Sequence, residues 1–470
     1  LLRVPGLSGA IRLGNLSARV AHGRLEFDPT AVVLPAGGPS SMAPATSPRP
    51  EQLRQPNVLR LSGAIGPEGS RQAPGGEWKF EVNLAGQTDR AEDLLAAASA
   101  LGYTVFRGWV VEGSAGLSLR WQGSLRPFVP QPLGNIELRS LRLRAGFLNQ
   151  PVILTRARVD LWPSERRITL SAAHGFGARW EGWLSRSAGD SPDASPRWEF
   201  DLSADRLDAA ELDRWLGPRA RPGLLERIMP FAAGTSGSSG PDVVLGGLLA
   251  RGQLRVDEVE VPPLRVRRLR ARAEVAGREI TLHDAQADFY SGTVKGLLRA
   301  ELRARPSYRV DARFEGVRLG SVGDATASLK GRFAGTASGE FELAARGIGR
   351  ENLLASLEGR GSLRVRGAEL HGLDLKASYR ADRLVPGTTQ FARADGTFRL
   401  ATRKVQVEEL RLSDREDDFE AAGSVDFSRT LDLRVHLREW PRALAGKTLR
   451  VVGPLGAPEV ERVASPAPKP

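Results

Sequence analysis

The stretch that decides the fold runs from Leu269 to Ala287, LRARAEVAGREITLHDAQA. Its first half alternates. Leu269, Ala271, Ala273 and Val275 fall on one side, and Arg270, Arg272 and Glu274 fall on the other. A period of two with one apolar and one charged side describes a β-strand with a dry face and a wet face. Ala276–Glu279 carries a glycine and reads as a tight turn. The second half places Ile280 and Leu282, skips two residues, and resumes with Ala285 and Ala287. An uninterrupted strand would put the second pair on the opposite face. One extra residue, a β-bulge, restores the face and adds local twist.

The same skip recurs along the chain. It is found at Ile136, Leu138, Leu141, Leu143, at Leu254, Val256, Val259, Val261, and at Leu363, Val365, Ala368, Leu370. It returns at Val405, Val407, Leu410, Leu412, with a weaker copy at Leu25, Phe27, Thr30, Val32. Such copies indicate internal repetition. Each sits in a larger unit of strand, polar turn, bulged strand and two further strands, closed in two cases by a helix, Asp89–Leu101 and Asp208–Trp215. The reading yields β modules at 1–102, 134–231, 250–358 and 359–460. The first module carries an insert at 35–56, and the second a further helix near 222–231. A hairpin at 103–133, a linker at 232–249 and a tail at 461–470 complete the chain. Gly113–Gly123 and Gly335–Gly347 read as counterpart connecting hairpins. Pro35–Pro56, Ser187–Pro196, Gly234–Pro241 and Ala464–Pro470 read as loops or tail by composition. The expected fold is mainly β: a long curved antiparallel sheet, groove-like, with a few short helices.

With 470 residues, 41% apolar and 26% charged, the chain can build a core. No apolar run is long enough to span a membrane as a helix. There is no cysteine, which excludes disulfides, cysteine-bound metal and a thiol nucleophile. The chain opens on Leu1 and reads as a mature segment or a piece of a longer protein. The net charge of +12 is an arginine charge, and the arginines alternate with Glu and Asp rather than forming runs. That spacing places them on solvated strand faces; the competing reading is attraction to anions such as lipid headgroups.

Few residues carry the spacing of a chemical site. Histidines 22, 174, 283, 371 and 436 show no metal-ligand spacing. The acidic group Asp414, Glu416, Asp417, Asp418, Glu420 lacks the glycine and alternation of a calcium loop and reads as a solvated turn. No nucleophile elbow or phosphate loop occurs. Eight of nine tryptophans fall between Trp78 and Trp215, spread over several strands, and read as core filling rather than a stacking platform. The expectation is a non-enzymatic protein with no cofactor and no metal.

The last third resembles the C-terminal region of the AsmA-like family of bacterial envelope proteins. The resemblance is carried by GRGSLRVRGAELHGLDL (Gly359–Leu375), FARADGTFRLATRKVQVEELRLSD (Phe391–Asp414), FEAAGSVDFSRTLDLRVHL (Phe419–Leu437) and LRVVGPLGAPEV (Leu449–Val460). The resemblance implies a periplasmic body, an inner-membrane anchor lying upstream, and a role in outer-membrane lipid homeostasis among groove-forming, bridge-like lipid transfer proteins. Phospholipid or another acyl lipid and the membrane are then the expected partners; nucleic acid is not. A sheet with one continuous apolar face must cover it, by a second sheet or by acyl chains, each buried methylene being worth about 0.8 kcal/mol. The candidate groove residues are Leu254, Val256, Leu269, Ile280 and Leu282 in the third module. In the last module they are Phe398, Leu400, Val405, Val407, Leu410, Leu412, Val425, Phe427, Leu431 and Leu433. The alternative is an assembly factor built of closed sandwiches, acting on outer-membrane protein insertion through protein contacts.

Overall fold

A computed structural model describes residues 11–33, 58–67, 77–100, 109–126, 131–145, 148–187, 197–216, 248–303, 305–325, 329–347, 349–381, 383–415, 417–437, 448–454 and 458–463. These residues are mainly antiparallel strand, as the alternation requires. They fall into two compact units: Leu1–Ala204 with Arg219–Arg251, and Asp205–Pro218 with Gly252–Pro470.

The first unit begins with β1 (Arg12–Leu13), β2 (Ala18–Ala21), β3 (Arg24–Val33), β4 (Val58–Pro67), β5 (Trp78–Thr88) and α1 (Ala91–Ala100). It continues with β6 (Trp109–Ser124), β7 (Gln131–Ala145), β8 (Val152–Leu161), β9 (Glu165–Gly175), β10 (Ala178–Ser187) and most of β11 (Arg197–Asp208). From β2 onward each strand pairs antiparallel with the next, and β1 pairs with β3.

The second unit holds α2 (Ala209–Leu216), most of β12 (Leu249–Val261), β13 (Leu264–Ala276), β14 (Glu279–Phe289), β15 (Gly292–Glu301) and β16 (Ser307–Arg318). Then come α3 (Leu319–Asp324), β17 (Phe333–Arg346), α4 (Arg350–Ser356), β18 (Glu358–His371), α5 (Leu375–Ala381), β19 (Thr388–Ala401) and β20 (Lys404–Ser413). β21 (Asp418–Asp426), β22 (Thr430–Leu437), β23 (Thr448–Pro454) and β24 (Glu459–Val463) complete it. From β13 to β24 every neighbour pairs antiparallel, and among the described residues no pairing closes the meander into a barrel.

Several connections are two-residue turns with both residues at positive φ: His22-Gly23, Phe176-Gly177, Tyr290-Ser291 and Thr402-Arg403. This geometry matches the right-handed twist of the flanking strands and explains the short polar breaks in the sequence. The skips are bulges. In β20 the partners Val425, Gly423, Ala421 and Phe419 face Val405, Val407, Leu410 and Leu412, with one extra residue taken up at Glu408-Glu409. β3 shifts between Phe27 and Thr30, and β14 between Leu282 and Ala285, in the same way. A left-handed residue marks many of them: Ser140, Arg268, Asp284, Gly316 and Gly367. Adding one residue at that conformation keeps the apolar set on one face while the strand bends.

The helices α1 and α2 lie where the sequence indicates. α3, α4 and α5 were not anticipated; each is six or seven residues long, too short for a clear 3.6-residue period. Gly113–Gly123 and Gly335–Gly347 are not hairpins. Each is the body of one long strand, β6 or β17, because these glycines continue the ladder instead of turning it. The helix near 222–231, the segments 35–56, 188–196 and 234–241 and the tail 464–470 lie outside the described residues.

Candidate functional site

In the second unit several strands carry a bulge, and on its two sides the apolar face has different surroundings. Beyond the bulge, side chains are sealed. Val317, Ala337, Val365 and Ala394 form one buried cluster, against which Leu319 and Val322 of α3 pack. Leu375 and Tyr379 of α5 join Phe391, Phe419, Val435, Leu437 and Leu449 in another. Tyr379 and Phe419 are 0% exposed, with rings edge-on at 6.0 Å. α5 is pinned there by its polar groups. Ser378 Oγ donates to the Asp374 carbonyl and accepts from Val385 N–H at 2.9 Å, and Thr389 Oγ1 accepts from Leu375 N–H at 2.7 Å. Lys376 is ion-paired with the nearly buried Asp417 and, at 3.6 Å, with Asp414. Two of the acidic residues around 414–420 thus serve a structural ion pair.

On the other side of the bulge the apolar side chains line up in two cross-strand rows. The first runs Leu282, Leu298, Val310, Leu343, Gly359, Leu400, Val405, Val425, Leu431, each the register partner of the next. The second runs Gly296, Ala312, Phe341, Gly361, Phe398, Val407, Gly423, Leu433 in the same manner. At ~4.8 Å per strand the rows extend for ~40 Å, and at ~3.4 Å per residue they lie ~7 Å apart. No charged side chain stands in either row. Apart from Ala312 and Leu431, 3% and 8% exposed, their side chains are half-buried. An interior of matched sheets would bury them almost completely. α4 borders this end: it connects β17 to β18, keeps Leu353 and Leu354 half-buried, and reaches Arg403 through Glu351 at 3.2 Å.

Glycines shape the floor of this strip. The Phe398 ring lies over Gly361, so that a Cβ there would meet Cζ at 2.5 Å and Glu340 O at 2.7 Å. Leu343 covers Gly359 and Phe314 covers Gly339 in the same way, with Cβ approaches of 2.7 and 2.9 Å. Large apolar side chains therefore lie flat on neighbouring strands instead of standing upright.

The structure brings Leu282, Leu400, Val405, Val425 and Leu431 into the first row and Phe398, Val407 and Leu433 into the second. Ile280 stands one step outside, opposite Ala300. Leu410 and Leu412 share the face but pack against the sealed clusters. Phe427 begins the turn after β21. Leu254 and Val256 lie on β12, Val256 being 1% exposed, and Leu269 sits in the β13 bulge. Sequence reasoning missed Leu298, Val310, Phe341 and Leu343. Their signal was present as period-two alternation, at Leu298 in β15, Val310 in β16 and Phe341 and Leu343 in β17. Gly359 and Gly361 carry no hydropathy signal at all.

The opposite face is a charge lattice. Arg364 reaches Asp395 at 2.9 Å, Arg360 reaches Glu342 at 2.8 Å, and Arg450 bridges Asp432 and Glu461 at 2.9 and 3.0 Å. Hydrogen bonds from Arg393, and then from Arg364, hold the Asp395 carboxyl below its ordinary range. Arg450 does the same for Asp432. Solvent screens such exposed pairs, so the lattice adds little to stability. In the first unit Arg167 lies between Trp162 and Trp183, 5.7 and 5.0 Å from their rings, a cation–π stack on the outer face. Among the described residues no three acidic or imidazole side chains converge as metal ligands, and no helix is long and apolar enough to cross a membrane. No family model, no curated protein and no solved structure matches the chain.

Proposed function

We propose that the half-open apolar strip of the second unit binds acyl chains, and that the protein is a non-enzymatic lipid-handling protein conveying phospholipid across the periplasm of a bacterial envelope. The strip itself carries the reading: two uncharged rows, one continuous from β14 to β22 and one from β15 to β22, mostly left only partly buried while other apolar side chains of the same sheet are sealed under α3 and α5. Leaving such a strip in water costs free energy that a bound chain recovers at about 0.8 kcal/mol per buried methylene. A continuous track without a polar barrier suits cargo that slides, and an enclosed pocket would suit cargo that is held. The envelope location rests on the resemblance of Gly359–Val460 to the AsmA-like family.

Mass spectrometry of organic extracts from the purified protein tests this reading. Phospholipid at near-stoichiometric amounts is expected. Lipid-free protein with full β content would overturn it and favour the alternative of an assembly factor built of closed sandwiches and acting through protein contacts.

A further inference from the structure

The solvated face of β13 departs from the balanced lattice around it. β13 carries five arginines, at 265, 267, 268, 270 and 272. Two bulges meet here: β13 shifts register between Arg267 and Arg270, and the facing β14 strand between Ala285 and Leu282. At each bulge a non-glycine residue adopts the left-handed conformation, Arg268 at φ 53° and Asp284 at φ 50°. Bulges re-aim side chains, and non-glycine residues in this conformation are held there by their surroundings at some cost. Around the paired bulges the surface sinks into an open depression of about 600 Å³ lined by Arg268, Arg270, Arg272, Gln253 and Gln286, among others.

The charges within it are arranged, not mixed. Arg268 is ion-paired with Asp288, and Arg272 with Asp284. These pairs flank Arg270, which has no acidic partner among the described residues. Arg270 faces Gln286 in register, and Gln286 faces Lys295 of β15. Lys295 also lacks a partner among the described residues. The row thus presents a guanidinium, an amide and an ammonium across three strands, ~10 Å from end to end. Two flanking arginines are oriented by their aspartates.

We propose that this depression binds a phosphate group. Arginine offers planar, paired donors that match the oxygens of a phosphate; Lys295, outside the lining of the depression and two strands from Arg270, adds positive charge beside it. An open depression of about 600 Å³ is larger than a phosphate and leaves room for what the phosphate is attached to. The site lies on the charged face, opposite the apolar strip, and is independent of what the strip binds. Two sources share this chemistry: free phosphate and the headgroup of an anionic lipid.

The test uses the full chain in two arms, both at ~0.1 M salt, where the Debye length is ~10 Å. One measures inorganic phosphate binding by calorimetry. The other measures co-sedimentation with vesicles of phosphatidylglycerol and phosphatidylcholine, against phosphatidylcholine alone. Arg270→Ala with Lys295→Ala is compared with Arg60→Ala with Arg366→Ala, which removes the same charge from exposed strand positions elsewhere. The first pair is expected to weaken binding at least tenfold in at least one arm, and the control pair less than twofold. Loss in the calorimetric arm alone identifies free phosphate as the ligand. Loss in the vesicle arm identifies a headgroup. Equal weakening by both pairs, or no binding by the unaltered protein in either arm, overturns the proposal; thermal melts confirm that the four surface changes leave the fold intact.

Discussion

Gly361 illustrates how single residues set the surface of the strip. It has no side chain because the ring of Phe398 occupies that space from the next strand, with Phe341 Cβ on the other side at 3.1 Å from a Cβ placed there. Gly361→Ala must either lift the ring or move the Glu340 carbonyl. Overpacking of this kind costs about 1–3 kcal/mol. The expected result is a lower denaturation midpoint together with reduced loading of a fluorescent fatty acid, because a lifted Phe398 stands across the strip. Unchanged loading would show that the flat ring serves the sheet alone. Asp395 supplies a pH test on the opposite face. Its pKa is depressed from 3.8 chiefly by hydrogen bonding to Arg393. A depressed carboxylate pKa contributes stability that is present above the unfolded value and lost as pH falls through the folded one. Below about pH 4, the melting temperature of Asp395→Asn should therefore fall less steeply than that of the unaltered protein. Parallel curves would mean that solvent screens the interaction entirely.

At the scale of elements, the tight turns and bulges were the legible part, and the Gly-rich segments at 113–123 and 335–347 were not. Ala401–Lys404 and Ala276–Glu279 announce their turns, and the skip at Glu408-Glu409 keeps Leu410 and Leu412 on the face of Val405 and Val407, as its spacing requires. The short helices were not legible. Leu375-Lys376-Ala377-Ser378-Tyr379 reads as one more alternating segment, and only packing of Leu375 and Tyr379 over the sheet makes it a helix. The candidate site was partly legible for the same reason. Alternation shows which face is apolar, but which half of that face is sealed depends on where α3 and α5 come to rest. Tyr379→Ala tests that division. Truncating a fully buried aromatic should cost about 3–5 kcal/mol, read as an earlier urea midpoint, whereas Phe398→Ala in the half-exposed row should cost clearly less. Equal costs would mean that the two halves are packed alike.

For the whole molecule, the +12 charge and the lipid reading concern opposite faces of the same strands. Among the described residues many arginines are ion-paired with acids, on a neighbouring strand or two residues along the same one, and β13 is a local excess of arginine. The central claim is that the strip is an open binding surface and not an unfinished core. Val407→Asp tests it most directly, with Gln406→Asp, on the solvated face of the same strand, as the matched control. The measurement is lipid co-purifying with each full-length variant, quantified by mass spectrometry, beside its melting curve. If the strip is open, water can reach the new carboxylate at 407: Val407→Asp should melt within a few degrees of the unaltered protein and lose most of its lipid, while Gln406→Asp keeps both. If Val407→Asp instead unfolds the protein, as an unpaired carboxylate in a sealed core does at a cost of several kcal/mol, the strip is a core and the account is contradicted.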